Sequence, residues 1–342
     1  MKACTLKDVA REAGVSAMTV SKVMNGKGGV SEATRKRIRE VADRMNYTRN
    51  TVALSLRDGA TMTLGVVLSD SSELVISKVL RGIQDTAADA GYSIITANTD
   101  HSPERERKAI ETLISKRIDG LIFVAPLLHS PEDIAWIRER NIPFVLLMRN
   151  DKNKNVDAVI NDNFAGAYMT VEHLIEQGCG SFAILPIEGS ETARERIRGW
   201  KKALEDHGIP ESKTMFCETP QYLESGYKTV QEHLSEIMNY DALVCGCDTM
   251  AVGAMSALLD SGVRIPEDIR IIGYDGIDFC NYTAVPLSTI EQPLYEIGVE
   301  GVKAMLNRLN NPEDAPGTKV LRCVLNARRS TVKSLTQRVR EA

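Results

Sequence analysis

No run of apolar residues in this sequence reaches the ~18–20 needed to cross a bilayer, which excludes a membrane-spanning helix and any membrane partner that requires one. The first residues, Met1-Lys2-Ala3-Cys4-Thr5, lead into charged sequence rather than an apolar signal core, so a cytoplasmic protein is expected. Seven cysteines are scattered along the chain, and only Cys245 and Cys247 stand close together. A lone C-x-C pair without a second pair or clustered histidines is poor metal spacing, so reduced thiols are expected. The histidines (His101, His129, His173, His207 and His233) are dispersed. There is no P-loop, no GxSxG elbow and no His-rich metal pattern, so neither an enzyme, nor a cofactor, nor a metal is expected. Residues 334–342 lack the leucine heptads of a tetramerising coiled coil.

What is present is enough chain for two or three domains: 342 residues, 43% hydrophobic and 26% charged, the composition of a soluble protein with a sizeable core. Charge is divided unevenly. Residues 1–60 hold twelve Lys/Arg against six Asp/Glu, a net of +6, which leaves −10 on the rest of a chain whose formal charge is −4. A small basic head on a large acidic body suits a head that meets a polyanion and a body that does not.

The head is patterned as three short helices. Thr5 with Asp8 is a capping pattern that opens a helix over Leu6–Ala13, with Leu6, Val9 and Ala10 on one face. Gly14 breaks it. Ser16 caps a second helix, Ala17–Asn25, with Val20 and Val23 inward, and Gly26 ends it. Ser31 caps a third, Glu32–Asn46, whose stripe of Ile38, Val41, Ala42 and Met45 closes the core. Two short helices around a tight glycine turn form a helix-turn-helix, whose second helix fits the DNA major groove.

From Thr63 the pattern changes to short apolar strands alternating with amphipathic helices. Strands are predicted at Thr63–Leu68, Tyr92–Ala97, Gly120–Val124, Phe144–Met148 and Ala158–Ile160, then Ser181–Leu185, Thr214–Glu218, Ala242–Cys245 and Ile269–Gly273. Helices are predicted between them, from Val75–Ala90 to Met250–Ser261. Continuous apolar strands separated by helices imply parallel sheets covered on both faces, and the strand count implies two doubly wound lobes. Trp136 and Trp200 read as helix-packing aromatics and His173 as a packing or surface residue.

The stretches Leu6-Lys7-Asp8-Val9-Ala10-Arg11-Glu12-Ala13-Gly14-Val15-Ser16, Thr19-Val20-Ser21-Lys22-Val23-Met24-Asn25 and Val30-Ser31-Glu32-Ala33-Thr34-Arg35, with Tyr47, resemble the lactose/purine repressor family of bacterial transcription factors. The resemblance runs through about residue 333. It implies an all-α helix-turn-helix head (1–48), a hinge helix (49–60), and a two-lobed core like a periplasmic binding protein (61–333), with a tail at 334–342. Three crossovers, near Asn161–Asn163, Ile290–Gln292 and Val320–Cys323, would divide the core. One lobe is then 61–161 plus 292–320, the other 162–291 plus 321–333. The implied activity is sequence-specific repression of carbohydrate genes by a homodimer on a pseudo-palindromic duplex under control of a small-molecule effector, a sugar or an acidic sugar derivative.

On the DNA side the resemblance puts Ala17, Met18 and Lys22 against base edges, Lys22 toward guanine and the apolar pair toward thymine methyls. Thr5, Ser16, Thr19, Ser21 and Asn25 fall to phosphate oxygens. Many relatives carry Arg where this chain has Lys22, which exchanges a two-pronged donor for a point charge. Asn50, Ala53 and Leu56 belong to the hinge, with Leu56 at the position that wedges into a minor-groove step. The hinge is too short to be a stable helix alone, which fits folding on DNA. Arg49 stands where relatives usually have proline.

On the core side the resemblance assigns Arg196 as the ligand-anchoring arginine and Asp275 as the acceptor of ligand hydroxyl or N–H groups. Asp248 would cap the following helix and brace the cleft, Gln292 sits at a crossover, and Arg149 ends a strand at the rim. Relatives that bind sugars often have Asn-Pro-Phe-Phe where this chain has Glu73-Leu74-Val75-Ile76, and Asp where it has Met148. Gln221, beside Tyr222, replaces an aromatic stacking residue of some relatives. Two arginines in the cleft would favour an acidic sugar derivative. The helix Val75–Ala90 and the segment Ile94–Leu113 are implied as the dimer surface. A constitutive DNA-bending protein with an unresponsive core is the alternative reading.

Overall fold

The computed structural model describes residues 4–24, 28–47, 60–128, 130–149, 155–188 and 191–332. They form two compact units, divided at Thr61/Met62. No helix among the described residues is long and apolar enough to cross a membrane.

The smaller unit holds α1 (Leu6–Glu12), α2 (Ala17–Met24) and α3 (Glu32–Arg44). Each begins where a side chain satisfies an otherwise orphaned backbone N–H. The Thr5 hydroxyl accepts from the Asp8 N–H while the Asp8 carboxylate accepts from the Thr5 N–H, a reciprocal capping box. Ser16 Oγ accepts from the Thr19 N–H at 3.1 Å, and Ser31 Oγ from the Thr34 N–H. Between α1 and α2 the chain turns at Gly14, whose φ of +62° suits a residue without a Cβ. Val9, Ala10, Val20, Val23, Ile38, Val41 and Ala42 are buried together, so all three helices share one small core. The first and third helices end one or two residues sooner than their apolar pattern suggests; Asn46, with φ of +47°, leaves the helical region.

The larger unit contains two sheets. The first runs β11-β5-β4-β3-β1-β2 and is parallel throughout: β1 (Thr63–Leu68), β2 (Ser93–Asn98), β3 (Gly120–Val124), β4 (Phe144–Leu147), β5 (Asp157–Asn161) and β11 (Thr318–Leu321). The helices α4 (Leu74–Asp89), α5 (Pro103–Ser115), α6 (Pro131–Arg138) and α11 (Leu294–Asn310) complete this N-lobe. Val66 lies opposite Ile122 on one side and Thr96 on the other, and β1 and β3 are apolar along nearly their whole length because both sheet faces are covered. Helices α4 and α11 touch backbone to backbone. A Cβ on Gly82 would stand 2.1 Å from the Tyr295 carbonyl oxygen, and one on Gly298 would stand 2.2 Å from that of Val79.

The second sheet runs β12-β10-β9-β8-β6-β7: β6 (Phe182–Leu185), β7 (Thr214–Phe216), β8 (Ala242–Cys245), β9 (Arg270–Asp275), β10 (Ser288–Glu291) and β12 (Val324–Asn326). Its helices are α7 (Asn163–Glu176), α8 (Glu191–Asp206), α9 (Leu223–Ile237) and α10 (Asp248–Asp260). The chain passes between lobes after Asn161, after Glu291 and after Leu321. One strand departs from the parallel expectation: β12 is antiparallel to β10. The cause is connectivity. β11 runs toward the junction of the lobes, and only Arg322 and Cys323 separate it from β12, which therefore enters the second sheet from that same end.

The lobes share a region onto which the carboxyl ends of their parallel strands open, as ligand-binding α/β sheets do. His173, expected as a packing or surface residue, is buried with its Nε2 2.8 Å from Thr331 Oγ1, and Trp200 is fully buried in the lobe built on the second sheet.

Candidate functional site

On the head, α2 shows its polar and apolar-exposed face outward. Met18 is 71% exposed, Lys22 is exposed, and Ala17, Thr19 and Ser21 are half-buried beside them. The Thr5 hydroxyl donates to the Asp8 carboxylate, while Ser16 Oγ accepts from the Thr19 N–H and lies 2.9 Å from Thr19 Oγ1. Asn25, Asn50, Ala53 and Leu56 lie outside the described residues.

In the core, a cavity of about 330 Å³ lies between the lobes. Five of the effector positions expected from the sequence line it: Arg149, Arg196, Gln221, Asp275 and Gln292. Arg196, on α8, is 4% exposed. Its Nε donates to Asn163 Oδ1 at 2.9 Å, Nη1 donates to the Gly246 carbonyl, and Nη2 donates to Asp275 Oδ1 at 3.3 Å. The guanidinium carbon lies 3.7 Å from the centre of the Tyr274 ring, a cation–π contact that fixes its plane. Gln292 Nε2 donates to the same Asp275 oxygen at 2.6 Å, while Gln292 Oε1 is buried with no hydrogen-bond partner among the described residues.

Asp275 ends β9 with φ of +124°, a backbone region that favours glycine. Ala125 after β3 and Met148 after β4 also have positive φ and line the same cavity. Strained backbone therefore clusters at the strand ends that face the cleft, as it does at ligand-binding positions. Burial pushes the Asp275 carboxyl above the usual carboxylate range, and the Arg196 charge opposes that shift. Burial also pushes the Cys247 thiol upward, so this cavity-lining sulfur stays protonated and is a poor nucleophile.

Arg149 reaches the rim from the end of β4 and donates to the Pro126 carbonyl at 2.7 Å. Gln221 Nε2 donates to Glu73 Oε1 at 3.2 Å, a contact from one lobe to the other. Lys78 makes a second bridge, to Asp278 at 2.9 Å and to the Gly276 carbonyl at 3.2 Å.

Asp248 is brought elsewhere. It is completely buried, outside the cavity wall, and accepts from the N–H groups of Gly276 (2.8 Å) and Ile277 (2.9 Å) and from the Thr289 hydroxyl (2.6 Å). It is the first residue of α10 and does not cap it, since its oxygens are taken by the loop after β9 and by β10. Asp248 thus braces the loop that carries Asp275 rather than facing a ligand. Burial and the neighbouring Asp275 charge raise its pKa.

The sequence assigns no role to Asp70 or Ser69, counts His101 only among dispersed histidines, and marks Glu73 only as a departure from sugar-binding relatives. All four line the cavity. They follow β1 and β2 in loops without periodicity; their signal was polar character immediately after an apolar strand.

The comparisons with known proteins agree across both units. Residues 5–50 match the model for bacterial regulatory proteins of the lacI family, and residues 61–327 match that for periplasmic binding proteins and the sugar binding domain of the LacI family. Among similar proteins is the HTH-type transcriptional repressor PurR of Vibrio atlanticus (strain LGP32), 33% identical over 332 residues, which cover 97% of this chain and 99% of that one. Catabolite control protein A of Staphylococcus epidermidis (strain ATCC 12228 / FDA PCI 1200) is 34% identical over 310 residues, 90% of this chain and 93% of the relative. A crystal structure of the Lac repressor dimer bound to operator and the anti-inducer ONPF superposes with a TM-score of 0.86 at 30% identity, covering 97% of this chain and all of that one.

Proposed function

This chain belongs to the lacI family of bacterial regulatory proteins, DNA-binding transcription repressors with a ligand-binding core, and on that premise we propose that a polyhydroxylated sugar bound between its lobes sets its affinity for an operator controlling carbohydrate genes. The observation that carries the ligand class is Arg196 and Gln292 converging on Asp275 at the cleft, with Gln292 Oε1 buried and unpartnered. A sugar hydroxyl donates to one oxygen while accepting from a neighbouring N–H, which is the alternation this wall offers. Asp275 lines the cavity with Arg149 and Arg196, and both guanidiniums already donate to protein acceptors, Arg196 to the Gly246 carbonyl and Asp275 and Arg149 to the Pro126 carbonyl. A neutral sugar fits that wall better than the acidic derivative that the two arginines alone suggest. Titration calorimetry of the full chain against neutral hexoses and pentoses and against uronic acids and sugar phosphates is expected to give heat with a neutral sugar. Binding of acidic sugars alone would contradict it.

On the DNA side, exposed Met18 and Lys22 on α2 support base readout in the major groove, and the helix starts at Thr5 and Ser16 support phosphate contacts. Two copies of the head suit a pseudo-palindromic duplex, because a two-fold dimer presents its recognition helices symmetrically. The related Lac repressor is a dimer on its operator. Asn25 takes a phosphate role in this reading, and Asn50, Ala53 and Leu56 act from the hinge, Leu56 as the minor-groove wedge. Leu56→Ala is expected to weaken binding to a selected duplex far more than to a scrambled one; equal loss on both would remove the wedge role. Such a regulator works in the bacterial cytoplasm, where its DNA is.

A further inference from the structure

The cleft's N-lobe wall holds a group of side chains that neither DNA binding nor a sugar's contacts with Arg196 and Asp275 requires. Asp70 follows β1, Glu73 precedes α4, and His101 follows β2, yet one ligand atom from each lies within 4.8 Å of the others. His101 Nε2 is 2.8 Å from Glu73 Oε1, and all three residues line the cavity. The two loops are held together by backbone, since the His101 N–H donates to the Ser69 carbonyl at 3.3 Å.

A second, independent feature points to a missing ligand at the same place. Ser69, immediately before Asp70, is 4% exposed and lines this cavity, and its hydroxyl has no hydrogen-bond partner among the described residues. A buried hydroxyl left unpartnered costs about 1–3 kcal/mol, so something entering the cavity is expected to satisfy it. One imidazole nitrogen and two carboxylates match the preferences of zinc and its transition-metal neighbours, for which nitrogen and oxygen ligands sit at about 2.0–2.2 Å. Three protein ligands, rather than four, leave a position open toward the cavity, the arrangement of metal sites that take an exchangeable ligand.

We propose that Asp70, Glu73 and His101 bind a divalent transition-metal cation, zinc or a close neighbour, whose open positions take hydroxyls of the cleft ligand. The metal site stands on its own geometry; its link to the ligand rests on the sugar reading above. The cation ties the β1–α4 and β2–α5 loops together. It also meets the second lobe, because Gln221 already reaches Glu73. Bound sugar and bound metal then close the cleft together.

The test uses the full chain with its thiols reduced and Zn2+ as the probe. Calorimetry is expected to show one site per chain. Glu73→Gln keeps the shape of the side chain and removes its charge, and His101→Ala removes the nitrogen. Each is expected to weaken Zn2+ binding by about tenfold or more, since loss even of a supporting group weakens metal sites by that much. Co2+ in place of Zn2+ is expected to show ligand-field absorption without a thiolate charge-transfer band. Zn2+ affinity equal in wild type and both variants, no Zn2+ binding, or a thiolate band in the cobalt spectrum would each overturn the site. Sugar binding is then measured with Zn2+ and with EDTA. Weaker sugar binding in EDTA for wild type, and no such difference for Glu73→Gln, is expected. A metal site with no effect on sugar binding overturns only the link, and absence of sugar binding in every condition overturns the sugar reading instead.

Discussion

Arg196→Met is expected to abolish the response to the cleft ligand and to lower the stability of the core by about 3–5 kcal/mol, the usual cost of removing one member of a buried ion pair. Methionine keeps most of the packing volume on Tyr274 but none of the donors. Asn163 Oδ1, the Gly246 carbonyl and Asp275 each lose a partner, and Asp275 is left as a buried carboxylate without its cation. The pH dependence has a definite sign. Burial already raises the Asp275 pKa in the folded state, and removing Arg196 raises it further. A carboxyl raised on folding stabilises the fold below its unfolded pKa and loses that contribution as pH rises through its folded value. The variant is therefore expected to lose stability between pH 5 and pH 8 more steeply than wild type. Chemical denaturation at several pH values checks this. A variant as stable as wild type at pH 8 would show that Arg196 does not anchor the fold, and one that still responds to ligand would show that it does not anchor the ligand.

Asp248→Ala is expected to cost the core about 3 kcal/mol or more, since each buried donor left without an acceptor costs about 1–3 kcal/mol. Three donors reach this carboxylate, the N–H groups of Gly276 and Ile277 and the Thr289 hydroxyl, and their remaining acceptors are longer: Thr289 Oγ1 at 3.3 Å for Gly276 and the Ile290 carbonyl at 3.5 Å for Thr289. The site is also tightly packed. Gly273 has no Cβ because one would fall 2.2 Å from Asp248 Oδ1. The effect is structural first: it shows in the denaturation midpoint of the core before any ligand is added. Unchanged stability combined with lost ligand binding would return Asp248 to the cleft wall and contradict its role as a brace.

Much of this architecture was legible in the sequence because it rests on local chemistry. Thr5, Ser16 and Ser31 announce helix starts because their hydroxyls accept nearby backbone N–H groups. The continuous apolar stretch Leu64–Leu68 announces a strand buried on both faces. The antiparallel β12 was not legible, because its direction follows from which end of the sheet the chain enters and not from any residue pattern. The resemblance supplied Arg196, Asp275, Gln292, Gln221 and Arg149, and all five line one cavity. Asp248 carried a similar signal, an acid after a strand, but its oxygens are turned into the loop after β9. That Asp70, Glu73 and His101 meet was not legible, because their proximity depends on β1 and β2 lying side by side. Dispersed histidines argue against a metal only while the chain is read as a line.

Occupancy of the cleft and occupancy of DNA are expected to be energetically linked. The most direct measurement is a reciprocal titration of the full chain. Affinity for a duplex selected from random sequence is measured with and without a saturating sugar from the calorimetric panel, and sugar affinity is measured with and without that duplex. The account predicts a change of about 5–150-fold in duplex affinity, and thermodynamic reciprocity requires the same factor, in the same direction, in sugar affinity. A sugar that binds the cleft and leaves duplex affinity unaltered would contradict it, and would leave a DNA-binding protein whose core does not control it.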